Sequence, residues 1–287
     1  MVDELTKPSD ISEVRSHYDS KADEYDRVYF SDREDYVPAL VAEEILLKRI
    51  LDLDADRVLD MGCGNGGMVH TLCMNGIDAV GFDLSGEMIT SGKTVFKSDG
   101  LDPERLKQAN MQDGIPFDGS FDVIMGVGLF PHLDHTATHL RRVRDSLRSD
   151  GVTLIQFRNA LFNLYSMNDY TYHYILESVL TDANLPTDLH SAFDQRLRDI
   201  CHVGEEGIGQ TPEIDSEGQF HNPLTISSTF NESGFDVDEI YFYHYHPIPP
   251  EFRAVDKAAY DQLAKEFEDP HDWRGYFMAS SFIIEAR

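Results

Sequence analysis

Four glycines fall within six residues in the stretch "RVLDMGCGNGG", residues 57–67, directly after a short apolar run. A run this bare weakens both helix and strand interiors, because glycine loses the most conformational freedom on ordering. It is at home in a sharp turn between a buried strand and a helix. The flanking residues supply both, "RVLDM" before and "GMVHTLCMNG", closing at Gly76, after. The same rhythm continues. "DAVGFD" reads as a strand, with Ser85 as N-cap of the helix "GEMITSGKTVFKS". "LKQANM" and "FDVIMGVG" read as the third and fourth strands. "DHTATHLRRVRDSLRSDG" reads as a helix capped by Asp134 and stopped at Gly151, and "GVTLIQF" as the fifth strand. Strands alternating with helices predict a parallel sheet covered by helices on both faces.

Before this core the sequence predicts two helices, "ISEVRSHYDSKADEYD" with Tyr18 and Tyr25, and "PALVAEEILLKRIL". After residue 158 the rhythm breaks, and residues 159–221 are rich in aromatics, Asn and acids without a clear strand. That block is too long for a plain connection and reads as an inserted cap. The core resumes with a helix in "NPLTISSTFNESGF" and a strand in "DVDEIYFYHYH". In that strand His244 and His246 share one face, facing solvent or capping, while Tyr243 and Tyr245 pack on the other. "HPIPPEF" forces a loop, a short acidic helix follows, and "GYFMASSFIIEAR" closes the chain as a strand. The expected organisation is an N-terminal helical segment over the active site (1–50), a core (51–158 and 222–287) and a substrate cap (159–221).

Composition narrows the partners. With 52 Asp+Glu against 24 Lys+Arg the formal net charge is −28, and such a surface repels phosphate backbones, so nucleic acid is not expected. The acidity suits either solubility alone or a salt-rich cytoplasm. No apolar run approaches the roughly 18–20 residues of a membrane helix, so no membrane partner is expected. "MVDELTKPSD" has no secretory features, and a cytoplasmic location follows. Cys63, Cys73 and Cys201 form no zinc or disulfide pattern. His132, His135 and His139 are close in sequence, but nothing completes a metal site around them, and no metal is expected. A homodimer is the one assembly left open.

The glycine run fits two templates. Gly62, Gly64 and Gly67 match G-x-G-x-x-G, which holds a dinucleotide pyrophosphate at a helix N-terminus. Asp60, Gly62, Gly64 and Gly66 match acidic-x-G-x-G-x-G, which suits S-adenosylmethionine. That ligand lacks phosphate and carries an amino group and a sulfonium, so a carboxylate at the strand end favours it. Asp83, ending the second strand, can accept hydrogen bonds from a ribose diol in either case. "VLDMGCGNGG", "VGFDLSGEMI", "IPFDGSFDVIMG", "SHYDSKADEYD" and the closing pair of strands together resemble the class I S-adenosylmethionine-dependent methyltransferase superfamily, in its small-molecule branch. The resemblance covers roughly residues 12–158 and 222–287. It implies a Rossmann-like α/β fold, a seven-stranded mixed sheet ending in an antiparallel hairpin, and S-adenosyl-L-methionine as cofactor. It implies that Asp60, Gly62 and Gly64 line the methionine end, that Asp83 holds the ribose and that Leu84 packs on the adenine. Gly126 and Val127 would lie by the reactive methyl. Where the family often has an acid near the adenine amino group this chain has Asn110, followed by Met111, with Asp113 as a rival.

Methyl transfer to a hydroxyl or amine also removes a proton from the acceptor. His132, in "LFPHLD" after the fourth strand, is the candidate base, against a loop histidine bonded only to backbone. Tyr18, Tyr25, Arg158, Asn159, Tyr165 and Tyr170 are candidates for lining an acceptor pocket, against plain packing. The leading expectation is a methyltransferase for a small acceptor, with O-methylation ahead of N-methylation. The alternatives are a non-catalytic partner subunit with this fold, and a nicotinamide oxidoreductase favoured only by Gly67.

Overall fold

A computed structural model of the chain describes residues 11–26, 38–180, 186–201 and 218–287, with side chains of the first helix described through residue 22. In order, the elements are α1 (Ile11–Asp26), α2 (Pro38–Asp52), β1 (Arg57–Met61), α3 (Gly67–Met74), β2 (Asp78–Asp83), α4 (Gly86–Ser98), β3 (Leu106–Gln108) and β4 (Phe121–Gly126). They continue as α5 (Thr136–Ser146), β5 (Leu147–Asn159), α6 (Asp169–Tyr174), α7 (Thr187–Ile200), β6 (Phe220–His221), α8 (Ser227–Glu232), β7 (Val237–Tyr245), α9 (Lys257–Phe267), α10 (Gly275–Met278) and β8 (Ala279–Ala286).

The chain divides into two compact units, one built from Pro8–Phe157, Ser227–Tyr241 and Ile283–Arg287, the other chiefly from Arg158–Ile226 and Phe242–Phe282. The α/β sheet has the order β3-β2-β1-β4-β5-β8-β7, and β1 to β4 lie in the larger unit. β1 pairs in parallel with β2 and β4, and β2 with β3. Val58, Leu59 and Met61 in β1 and Val123, Ile124 and Met125 in β4 are buried without alternation, as strands covered on both faces require. Asp236 and Arg287 exchange both backbone hydrogen bonds, and in the smaller unit His246 N–H donates to Met278 O. The last two strands therefore run antiparallel, as the resemblance implied.

Glu285, in β8, is 1 % exposed and ionises only because it is paired. Arg49 Nε and Nη2 donate to its two oxygens at 2.6 and 2.8 Å, and Tyr241 Oη donates at 2.7 Å. These donors hold its carboxyl below the ordinary glutamate range against the effect of burial.

Several local expectations are corrected. His135, in left-handed conformation at φ 56° and with no side-chain capping bond, holds the N-cap position of α5 in place of Asp134, and the helix ends at Ser146, well before Gly151. β5 is correspondingly longer than its apolar run, because Arg148–Asp150 extend it although exposed. The block after residue 158 does contain a strand, the two-residue β6, in which Phe220 and His221 pair with Arg158 and Asn159. In β7, His244 takes φ 60°, and His246 is buried rather than solvent-facing, its Nδ1 2.8 Å from Tyr260 Oη.

Candidate active site

The glycine loop explains itself residue by residue. Gly62, Gly64 and Gly66 have φ of 73°, 55° and 79°, a region that side chains with a Cβ adopt only under strain. Gly67 is not in that region and simply opens α3. The residues that need to be glycine are thus those of the acidic-x-G-x-G-x-G template. Gly62 and Cys63 N–H both donate to Phe82 O, at 2.8 and 3.0 Å, which ties the loop to the end of β2. Beneath it the packing leaves no room for side chains. A Cβ on Gly81 would lie 2.8 Å from the Cys63 and Val69 side chains, and one on Gly92 would lie 2.1 Å from Asn65 O.

Above the loop, within the larger unit, is a cavity of about 180 Å³. Asp60, Gly62 and Gly64 line one side, and Asp83, Leu84, Asn110 and Met111 another. Val127 and His132 follow β4, and α1 and α2 contribute Tyr18 and Glu43. Asp83 Oδ2 accepts from Gly64 N–H at 2.9 Å and Oδ1 from Ser85 N–H at 2.8 Å. Each oxygen retains lone-pair capacity for a hydroxyl. Burial raises the Asp83 pKa, with the backbone donors opposing it. Asp60 is 6 % exposed and, among the described residues, accepts no hydrogen bond. Burial first, then the neighbouring Glu43 and Asp83, push it up to about 8.

His132 is buried, and its Nε2 lies 3.2 Å from Tyr18 Oη, with the two rings edge-to-face. The N-terminal helix is tied to the core a second time, since Ser85 Oγ donates to Asp19 Oδ1 while also capping α4 at Met88 N–H. The turn after β4 is set by Gly128 N–H donating to Gln156 Oε1 at 2.8 Å. Cys63 lines the cavity, and burial, followed by Asp60 and Asp83, raises its thiol, which disfavours the thiolate there.

The structure therefore brings together Asp60, Gly62, Gly64, Asp83, Leu84, Asn110, Met111, Val127, Tyr18 and His132. Two of the cofactor candidates stand differently in the structure from the rest. Gly126 does not line the cavity: strand alternation aims Met125 and Val127 into it, and the bare position between them lies against Met61 O. Asn110 does line it, but its Oδ1 caps the following turn by accepting from Gln112 N–H, so that oxygen is already engaged by backbone. Asp113 is not a lining residue. Glu43 was missed. It sits among the apolar residues of α2, and an acid facing that stripe was the available signal.

The remaining candidates belong to the smaller unit, except Tyr25, whose side chain lies outside the described residues. Arg158 lies over the Phe220 ring, and Tyr170 packs against the same ring at 5.2 Å. Tyr165 Oη donates to Pro247 O. Asn159 is fully buried and has a structural role instead. Its Nδ2 donates to Gly275, Tyr276 and Ala279 carbonyls at 3.2, 3.0 and 2.8 Å, and its Oδ1 accepts from Leu161 N–H. His139 is buried and its pKa is lowered, mainly by that burial. Among the described residues no three His, Cys, Asp or Glu side chains converge as metal ligands, and no helix is long and apolar enough to cross a membrane.

A sheet of this order, with a glycine loop after β1 and carboxylates ending β1 and β2, is the Rossmann-like arrangement that the sequence resemblance implied. Comparison with known proteins agrees. Residues 58–151 match a family model described as a methyltransferase domain. A probable fatty acid methyltransferase from Pseudomonas putida is 34% identical over 114 residues, which cover 38% of this chain and 28% of that protein. A ubiquinone biosynthesis O-methyltransferase from Methylococcus capsulatus is 24% identical over 177 residues, covering 58% of this chain and 70% of the relative. The magnesium protoporphyrin IX methyltransferase of Synechocystis, solved with bound SAH, shares the fold at TM-score 0.54 and 12% identity, over 96% of this chain and 99% of that one. Residues 58–151 of the chain thus match a methyltransferase domain, and the chain shares the Rossmann-like fold of solved S-adenosylmethionine-dependent methyltransferases.

Proposed function

We propose that this protein transfers the methyl group of S-adenosylmethionine to a small-molecule acceptor, with oxygen favoured over nitrogen as the atom methylated. The observation that carries the reading is that one cavity gathers the glycine loop, Asp60, Asp83 and the Tyr18–His132 pair. The donor set fits the cofactor. Asp83 has lone pairs for the ribose hydroxyls, Leu84 and Met111 offer apolar surface to the adenine, and Asp60 with Gly62 and Gly64 suits the positively charged methionine end. Bound, the cofactor supplies a methyl group on a sulfonium, open to in-line displacement.

The chain's own contribution is positioning and proton removal. Alignment of an acceptor in a closed site is worth roughly 7–11 kcal/mol. A hydroxyl acceptor needs a base, and His132, buried and within hydrogen-bond distance of Tyr18 Oη, suits that role. This supply of a base is the reason for favouring oxygen. The relatives named for fatty acid methylation and for ubiquinone biosynthesis support a small acceptor with apolar surface. Residues 160–221, including Tyr165 and Tyr170, are assigned to acceptor selection, together with Arg158 and the N-terminal helix with Tyr25.

The test is an acceptor panel read by mass spectrometry for gain of one methylene, run on the wild type and on His132→Ala. The variant should lose turnover by roughly 10²–10⁴-fold with S-adenosylhomocysteine binding retained. Unchanged turnover would remove His132 from the mechanism. Absence of cofactor binding in the wild type would remove the reading itself.

A further inference from the structure

The walls of the cavity are not equally supported. Under the glycine loop the packing leaves no room to move, as Gly81 and Gly92 show. Another wall, formed by Asn110, Met111 and Gln112, hangs from β3, an edge strand of three residues. It continues into the short turn Met111–Asp113, a 3₁₀ turn, whose hydrogen-bond geometry is poorer than that of an α-helix. The N–H groups of the turn are used locally. Asn110 Oδ1 accepts from Gln112 N–H at 2.9 Å, and Asp113 N–H donates to Asn110 O at 2.9 Å. Its carbonyls are held from a distant element. Arg142, on α5, donates from Nη1 to Met111 O and to Gln112 O, each at 2.8 Å. α5 is itself anchored by its buried Thr136, His139, Leu140 and Val143. Arg142 does not line the cavity. Nor does it pair with a carboxylate among the described residues, although the chain has 52 acids and Arg49, Arg105, Arg253 and Arg274 each take one.

Resting on the cofactor reading above, we infer that Arg142 is a positioning residue for the cofactor, holding the Asn110–Gln112 wall where the ligand packs without touching the ligand. A terminal guanidinium nitrogen carries two hydrogens, so Nη1 can serve both carbonyls at once. Both bonds are charge-assisted and stronger than bonds between neutral groups. Together they fix the peptide planes on both sides of Gln112 relative to α5. Met111, buried in the same turn, presents its side chain to the cavity from that fixed backbone. A ligand then meets a surface already ordered instead of having to order it, which is how preorganisation raises affinity.

The experiment is calorimetric titration of the whole chain with S-adenosylhomocysteine, run beside amide hydrogen exchange of the ligand-free protein. The proteins compared are the wild type, Arg142→Met, Arg142→Lys and Arg141→Met. Arg142→Met should weaken S-adenosylhomocysteine roughly tenfold, the scale of one charge-assisted hydrogen bond. Its exchange at residues 112–114 should speed up by roughly tenfold or more while β1 and β4 stay protected. Arg142→Lys keeps a cation on that side of α5 and should recover part of both effects. Arg141→Met, exposed on the same helix, should match the wild type. Unchanged affinity in Arg142→Met overturns the inference. So does exchange that rises alike in β1 and β4, which marks a general loss of stability, or Arg142→Lys no better than Arg142→Met. If the wild type does not bind S-adenosylhomocysteine, the cofactor reading has failed, and the exchange comparison, which needs no ligand, still decides whether Arg142 holds the wall.

Discussion

Asp60 makes cofactor binding depend on pH, with a sign and slope that follow from its surroundings. Burial, Glu43 and Asp83 hold its carboxyl near 8, so in the ligand-free protein roughly nine molecules in ten carry it protonated at pH 7. If the carboxylate form receives the cofactor's ammonium, binding must expel that proton. Each pH unit below 8 then costs about 1.4 kcal/mol of affinity, a factor of ten. Between pH 6 and 7 the dissociation constant for S-adenosylhomocysteine should fall nearly tenfold. At pH 7, titrations in buffers of different ionisation enthalpy should show close to one proton released per site. Asp60→Asn should bind more weakly and lose both signatures. For stability the sign is opposite. The folded value lies above the unfolded one of 3.8, so this group's stabilisation is complete below about pH 4 and is lost as pH rises through 8. The ligand-free melting temperature should therefore carry a downward component across that window, which bound cofactor relieves. The titration must separate the group from the others facing the cavity, namely Glu43, Cys63, Asp83, Tyr18 and His132. Proton release near zero in the wild type, or equal release in Asp60→Asn, would refute the reasoning.

Two further predictions concern the frame around the site. Asn159→Ala removes an amide shared by three buried carbonyls, and should destabilise the protein by roughly 2–3 kcal/mol in chemical denaturation while leaving cofactor affinity unchanged. Arg49→Leu leaves the Glu285 carboxylate buried with Tyr241 as its hydrogen-bond donor and Arg287, at 3.9 Å, as its charge partner, and should cost about 3 kcal/mol. Because Glu285 is held below its ordinary range, the stability it contributes is present at neutral pH and lost as pH falls through that lowered value. The wild type should accordingly show an acid-side loss that Arg49→Leu diminishes.

The core of the fold was legible because its signals are local. Apolar runs such as "RVLDM" and "FDVIMG", bounded by glycine or by the N-cap Ser85, leave little choice of element. The cofactor side of the site was legible for the same reason, since it hangs on strand ends and one loop. What escaped depends on partners distant in sequence. Asn159 looked like a pocket residue because an exposed amide and one consumed by carbonyls more than a hundred residues later have the same letter. Glu43 is marked in the sequence only by its place beside the apolar stripe of α2, and the cavity it lines forms only in the fold. Gly126 sits between two lining residues, Met125 and Val127, and a Cβ there would meet Met61 O, which position near a strand end does not reveal. β6 was missed because two residues carry no periodicity.

Gly81 and Gly92 meet no ligand group in this account, yet the backbone around Asn65 and the Cys63 side chain occupy the space that any larger residue would need at those positions. The glycine signature of the site is therefore spread over three segments of chain, the loop itself, β2 and α4, and the latter two are invisible to a search for the loop motif. An aligned set of homologous chains should show residues 81 and 92 varying together with the loop rather than with the strand and helix that contain them. A homologue bearing alanine at 92 should carry a compensating change in the backbone path near residue 65, and a library of random substitutions should find these two positions as intolerant as the loop they support.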